Sequence, residues 1–146
     1  MMQKFEFLLG EWILKYNIPS SSYSTGGNAS GEGTFKRILS DKYVTFDYKA
    51  YFTQGNAQAY DIFVWDKKSQ IYRYWWFEDS GSFMTATCNF LNDNTLALNW
   101  HNSLLVQTFE KVDQNRLRLR MSNPKDAGKY ELVLEVLFER KQSQKS

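Results

Sequence analysis

Apolar and polar residues alternate with a period of two along nearly all of this chain. That spacing sends successive side chains to opposite faces of a β-strand. In Glu11 to Ile18, Trp12, Leu14 and Tyr16 share one face. In Tyr43 to Phe52, Val44, Phe46, Tyr48, Ala50 and Phe52 alternate with Thr45, Asp47 and Lys49. In Tyr130 to Arg140, Leu132, Leu134, Val136 and Phe138 oppose Glu131, Glu135 and Glu139. The same pattern predicts strands over Gly31 to Ile38, Gln58 to Trp65, Gln70 to Glu78, Ser82 to Phe90, Thr95 to His101, Leu104 to Val112 and Arg116 to Met121. Turn-forming clusters separate them, among them Ser40-Asp41-Lys42, Gln54-Gly55-Asn56, Asp79-Ser80-Gly81 and Asn92-Asp93-Asn94. Phe5 to Leu9 suits a single helical turn, Ser20 to Gly27 a Gly/Ser-rich loop, and Ser122 to Gly128 a longer polar connection. Lys141 to Ser146 reads as a frayed polar tail.

About ten short strands, with turn signals roughly every 8–12 residues, define an all-β sandwich or barrel. No helical segment is long enough for a parallel crossover, so the sheet is expected to be antiparallel with hairpin connections. A meander of this many strands removes its exposed edges most simply by closing on itself. The expectation is a single lipocalin-like, antiparallel up-and-down β-barrel over residues 1–146, with a short N-terminal helical turn. Barrels of roughly eight strands enclose side chains or one small ligand.

Composition narrows the chemistry. Aromatic residues make up 17% of the 146 residues, while charged residues, at 23%, are ordinary. The net charge of +2 gives no case for a nucleic-acid partner or an anionic membrane surface. No run approaches the roughly 20 apolar residues of a membrane-spanning helix. The opening Met1 to Gly10 has a short apolar run interrupted by Glu6, which argues against a signal peptide. Cys88 and His101 are each the only residue of their kind. An internal disulfide and a multi-histidine metal site are thereby excluded. No cofactor is expected, and a reducing cytoplasm is the expected location.

Two stretches carry a family resemblance. Phe7-Leu8-Leu9-Gly10-Glu11-Trp12 resembles the opening of calycin-superfamily barrels, which include lipocalins, fatty-acid-binding proteins and nitrobindin-like proteins. In that superfamily a Gly-x-Trp on the first strand packs at the closed end of the barrel under a late arginine. The resemblance implies that Trp12 and Arg140 form this barrel-end pair, held by cation–π attraction of ~0.5–2 kcal/mol. Trp65-Asp66, Tyr72, Trp76, Glu78 and Gly81 are similar to the Gly-Tyr-Asp…Tyr…Trp-x-Asp…Gly pattern of a bacterial calycin-like family of unknown function. Here Val64-Trp65 replaces Gly-Tyr and Glu78 replaces the acid. Nitrobindin-like proteins ligate haem through a histidine on a late strand, and Tyr130 to Arg140 contains none. Fatty-acid-binding proteins carry a two-helix lid, for which Pro19 to Ser30 is too short and too polar.

The most aromatic run is Tyr72-Arg73-Tyr74-Trp75-Trp76-Phe77. Tyr72, Trp76 and Glu78, the motif-like residues, share a face with Tyr74, and this face is expected to point inward. Phe46, Tyr48, Tyr72, Tyr74, Trp76 and Trp100 are the expected ligand-binding residues. The opposite face exposes Trp75 and Phe77, more apolar surface than a monomer usually shows, and a homodimer through that patch is expected. Arg37, Arg73 and Arg118 are candidate anchors for an anionic ligand, but alternation favours their facing solvent. His101 is expected at a strand end pointing away from the core, and Cys88 as a small core residue. Glu32, Asp47, Asp61, Glu78 and Glu110 are available acids, and nothing in their spacing selects a catalytic pair.

Three functions fit this pattern. The leading one is a barrel that binds a small apolar or amphipathic molecule among aromatic walls. The second is an enzyme, an isomerase or hydrolase, using the same cavity with one acid and a tyrosine. The third is a barrel packed solid that works through its surface. Free interior volume with convergent polar groups supports binding. A carboxyl with a raised pKa beside a tyrosine favours the enzyme. A filled interior leaves only the third.

Overall fold

A computed structural model describes residues 1–22 and 24–142. Its strands are β1 (Gly10–Ile18), β2 (Gly27–Ile38), β3 (Tyr43–Phe52), β4 (Gly55–Asp66), β5 (Ile71–Glu78), β6 (Phe83–Asn92), β7 (Thr95–Trp100), β8 (Val106–Asp113), β9 (Arg116–Pro124) and β10 (Tyr130–Arg140). Each pairs antiparallel with its sequence neighbours, and β1 also pairs with β10, from Trp12↔Arg140 to Asn17↔Glu135. The result is a closed up-and-down barrel with no free edge, as the alternation and turn spacing predict. A 3-10 helix over Met2–Leu8 precedes β1.

Several boundaries differ from the sequence reading, among them β4, which begins at Gly55 rather than Gln58, and β8, which begins at Val106 rather than Leu104. β2 begins at Gly27 rather than Gly31, because Gly27 to Ser30 pair with Lys15 to Ile18 and take four residues from the expected loop. β9 runs on to Pro124, whose missing N–H is harmless at the last pair, Tyr130↔Pro124. The tail is tied at its start: the Lys141 backbone N–H donates to the Glu11 carbonyl at 2.8 Å, and its ammonium reaches Glu32 at 3.0 Å. The expected fraying beyond Gln142 falls on residues 143–146, outside the described residues.

One end of the barrel is closed by the 3-10 helix. Phe5 inserts among Phe63, Tyr72 and Phe90, with ring centroids 5.0–5.3 Å apart. Trp12 is fully buried there; its indole N–H donates to the Leu8 carbonyl at 2.8 Å. The Arg140 guanidinium carbon lies 4.2 Å from the centroid of Trp12, and its Nη1 donates to the Leu9 carbonyl at 2.6 Å. Gly10 sits beneath with φ +124°, where any side chain would collide with the guanidinium of Arg140.

The outer wall carries charges in cross-strand pairs such as Arg120–Glu135 at 3.0 Å and Lys15–Glu139 at 3.1 Å. Exposed pairs of this kind contribute ~0–1 kcal/mol each. The candidate anchor arginines all belong to this outer layer: Arg37 pairs with Glu6 at 2.7 Å, Arg73 with Asp66 at 2.7 Å, and Arg118 with Glu110 at 3.7 Å. Held chiefly by Arg73, the Asp66 carboxyl falls to about 2. Trp75 and Phe77 also face outward; Phe77 is 40% exposed, and its cross-strand partner Phe83 is 69% exposed.

Candidate functional site

The half of the barrel remote from the 3-10 helix is not filled. It encloses a cavity of about 320 Å³. Packed protein interiors leave few voids larger than a water molecule, so a space of this size has a structural cause. The cause is residue size at inward positions of adjoining strands. Ala50 of β3 pairs with Ala57 of β4, and Ala59 pairs with Tyr48, so methyl groups stand where the closed end places rings.

On one wall the rings form a stack. Phe35 and Phe46 lie 4.0 Å apart at 11°, and Phe46 and Tyr48 lie 4.6 Å apart at 17°. Gly33 makes the stack possible. A Cβ there would stand 2.5 Å from the Tyr48 Cβ and 2.6 Å from the ring of Phe46. On the facing wall Tyr74 meets Trp100 edge-on at 5.3 Å, and the Trp76 indole N–H donates to the Tyr48 hydroxyl at 2.9 Å. Phe46, Tyr48, Tyr74, Trp76 and Trp100 therefore all line the cavity.

Tyr72 does not. It shares the inward face but stands nearer the closed end, where its hydroxyl donates to the Met1 carbonyl at 2.7 Å and its ring packs on Phe5. Parity in a strand gives the face of a residue, not its height along the barrel.

The polar groups of the cavity include one the sequence reading did not select. Asp61 of β4 points inward between its cross-strand partners Phe46 and Trp76 and is 3% exposed. The Tyr74 hydroxyl stands near its carboxyl and favours the charged form, while Oδ1 has no protein partner. Burial raises the Asp61 pKa well above the ordinary carboxylate range, and the Tyr74 hydroxyl offsets this only in part. Burial likewise raises Tyr16, Tyr48 and Tyr74, with the nearby Asp61 charge adding to each.

Trp100 Nε1 and Gln107 Oε1 are also buried without a protein partner. Among the described residues four buried side-chain atoms are left so, and three of them, on Asp61, Trp100 and Gln107, belong to residues lining this cavity. Such atoms are uncommon in native proteins, so their concentration at one place marks the site. The signal was present in the sequence as polar residues at inward parity, Asp61 between Ala59 and Phe63 and Gln107 beside Phe109. Glu78 also lines the cavity and accepts from the Ser80 hydroxyl at 2.6 Å.

The remaining candidates lie elsewhere. Cys88 is buried at inward parity, where desolvation pushes its thiol up to about 12. His101 is exposed, with Nδ1 2.6 Å from the Thr85 hydroxyl. Glu32, Asp47 and Glu110 face outward. Among the described residues no group of three or more His, Cys, Asp or Glu side chains is placed to hold a metal ion. No described helix is long and apolar enough to cross a membrane.

Fold and site together define a closed ten-stranded barrel with an aromatic internal chamber. Among solved structures the chain is similar to Rv2717c from M. tuberculosis, with TM-score 0.62, 11% identity and 97% of each chain covered. It is also similar to the S-type phycobiliprotein lyase CPES from Guillardia theta, with TM-score 0.57, 10% identity, and 97% of this chain and 93% of that one covered. No family model and no curated protein matches the sequence. At such identities the likeness concerns the fold alone.

Proposed function

We propose that this protein is a calycin-like barrel, residues 1–146 acting as one domain, that binds a small apolar or amphipathic molecule in its chamber. Phe46, Tyr48, Tyr74, Trp76 and Trp100 form the walls, and Asp61 and Gln107 supply polar anchors. Tyr72, Trp12 and Arg140 hold the closed end. The observation that carries this reading is about 320 Å³ of free space beside partnerless polar atoms on Asp61, Trp100 and Gln107. Ligand pockets of ~300–1,000 Å³ with apolar walls and a few placed polar groups are the usual form of small-molecule sites. A buried polar atom without a partner costs ~1–3 kcal/mol, which a ligand supplying the missing partner recovers. The free volume argues against a barrel packed solid. The lone buried Cys88 suits a reducing compartment such as the cytoplasm.

Native mass spectrometry of protein purified from its own host tests this reading. A mass excess of a small molecule, lost when Ala59→Phe fills the chamber, is the expected result. Bare protein alone, across several growth conditions, rejects it.

A second reading, an enzyme using the same cavity, is favoured by one feature: a buried carboxyl of raised pKa beside a tyrosine. It predicts that the co-purified molecule is converted to a different compound, read by a change in chromatographic retention or NMR spectrum, on incubation with the wild type and not with Asp61→Asn. A homodimer through Trp75 and Phe77 is a separate proposal, supported by the exposed aromatic surface that Phe77 and Phe83 present. Light scattering after size-exclusion chromatography is expected to give a dimer that Phe77→Glu dissociates, and a strict monomer at high concentration excludes it.

A further inference from the structure

The charge of the chamber lining says more about the ligand than its shape does. Asp61 and Glu78 line it, and among the described residues no Lys, Arg or His does. The arginines that might have received an anion are all spent on the outer wall, against Glu6, Asp66 and Glu110. A ligand carboxylate or phosphate would therefore enter a low-dielectric space already holding two acidic side chains, with no cation to meet it. A purely apolar ligand would leave Asp61 Oδ1 as unpaired as it finds it.

We propose that the chamber takes a small cationic amphiphile, an ammonium on an apolar body, with the N–H groups on Asp61 Oδ1 and the cation among the rings of Tyr48, Tyr74, Trp76 and Trp100. This rests on the binding reading above and specifies the class of its ligand. Aromatic faces are negative at their centres and attract a desolvated cation. Gln107 Oε1, also without a protein partner, is a second acceptor in the same lining. The partnerless Trp100 Nε1 donates, and so suits a hydroxyl or carbonyl on the same ligand.

The arrangement links binding to a proton. Burial holds the Asp61 carboxyl protonated above the ordinary range, and an ammonium at Oδ1 favours the carboxylate, so binding releases a proton to solvent. Affinity then rises with pH up to the raised value of the empty chamber. The other titratable groups around this space are Tyr16 on β1, Tyr48 on β3, Tyr74 and Glu78 on β5, and Cys88 on β6 next to Tyr74. The three tyrosines and the thiol are pushed upward and stay neutral across that window.

The test is isothermal titration calorimetry of the full chain with three probes of one shape: 4-phenylbutylamine, 4-phenylbutan-1-ol and 4-phenylbutyrate. At pH 7 the amine is expected to bind at least tenfold tighter than the alcohol, and the butyrate weakest of the three. Heats measured in phosphate and in Tris should differ in the sense of proton release for the amine alone. Asp61→Asn should bring the amine-to-alcohol ratio close to one. The three-probe comparison on the wild type stands without that variant, should the variant fold poorly. An alcohol or butyrate that binds as tightly as the amine overturns the cationic assignment and leaves the chamber as a binding site. No binding by any probe overturns both.

Discussion

At the end of the barrel closed by the 3-10 helix, the named inward polar groups are matched to partners. The Trp12 indole, the Tyr72 hydroxyl and the Arg140 guanidinium donate to the carbonyls of Leu8, Met1 and Leu9. At the other end Asp61, Trp100 and Gln107 each keep a buried atom without one, around a cavity of about 320 Å³. The same ten strands with the same alternation build both ends. The difference lies in the helix that plugs one end with Phe5 and in the side chains: partnered groups fill that end, while alanines and orphaned polar atoms leave space among the rings at the other. Stability is concentrated where partners are complete, and function is proposed where they are missing.

Mutations that act on one end and spare the other sharpen this contrast. The largest effect is expected from Trp12→Ala, which deletes a fully buried indole, its hydrogen bond and its contact with Arg140. A loss of ~3–5 kcal/mol in urea-unfolding free energy is expected. A loss below about 1 kcal/mol would show that the closed end does not carry the fold.

Gly33→Ala comes next. Its methyl group meets the Tyr48 Cβ and the Phe46 ring at 2.5–2.6 Å, and neither is the free end of a flexible chain. Overpacking of this kind costs ~1–3 kcal/mol, and it should also displace the ring stack that walls the chamber. Unfolding and probe affinity are therefore expected to fall together, unlike in Trp12→Ala variants that remain folded.

Asp61→Asn is expected to act with the opposite sign. The folded state keeps a proton on Asp61 that the unfolded chain releases near 3.8, so stability falls as pH rises above that value toward the raised folded-state pKa. Removing the ionisable group removes this slope, so the variant is expected to be more stable than the wild type above pH 4, with the difference growing toward the raised folded-state pKa. Unfolding of wild type and variant from pH 4 to pH 8 measures it. Parallel curves would mean that Asp61 ionises in the folded chain as it does in the unfolded one.

Ala59→Leu should have the smallest effect on stability, within ~1 kcal/mol, because the added carbons enter free space. Probe binding should nevertheless drop at least tenfold. Unchanged binding would move the ligand site elsewhere.

How far the sequence anticipates this contrast depends on whether a property is local. Strand faces are local, so Tyr43–Phe52 has the bounds and inward residues that alternation predicts; Tyr130–Arg140 keeps its bounds, but a bulge between Leu132 and Leu134 buries Val133 and leaves Leu132 only half-buried. Phe46, Tyr48, Tyr74, Trp76 and Trp100 share a chamber because parity and barrel closure are enough to bring them together. Height along the barrel depends on register between strands, and this separates Tyr72 from the other five. Asp61 needs register too. Parity separates Asp61 and Glu78 from the three acids that face outward, and pairing with Phe46 and Trp76 sets Asp61 among the chamber's rings. The cavity is the least local property of all, because it depends on Ala50, Ala57 and Ala59 falling side by side across two strands.

The measurement that bears most directly on the contrast is an electron-density map of the barrel interior in crystals of protein purified from its own host. Connected density larger than a water cluster, in contact with Asp61 and Trp100 and absent from the closed end, is the predicted result. An interior in which the rings of Tyr48, Tyr74 and Trp76 have closed over the space and supplied partners to Asp61 would contradict it.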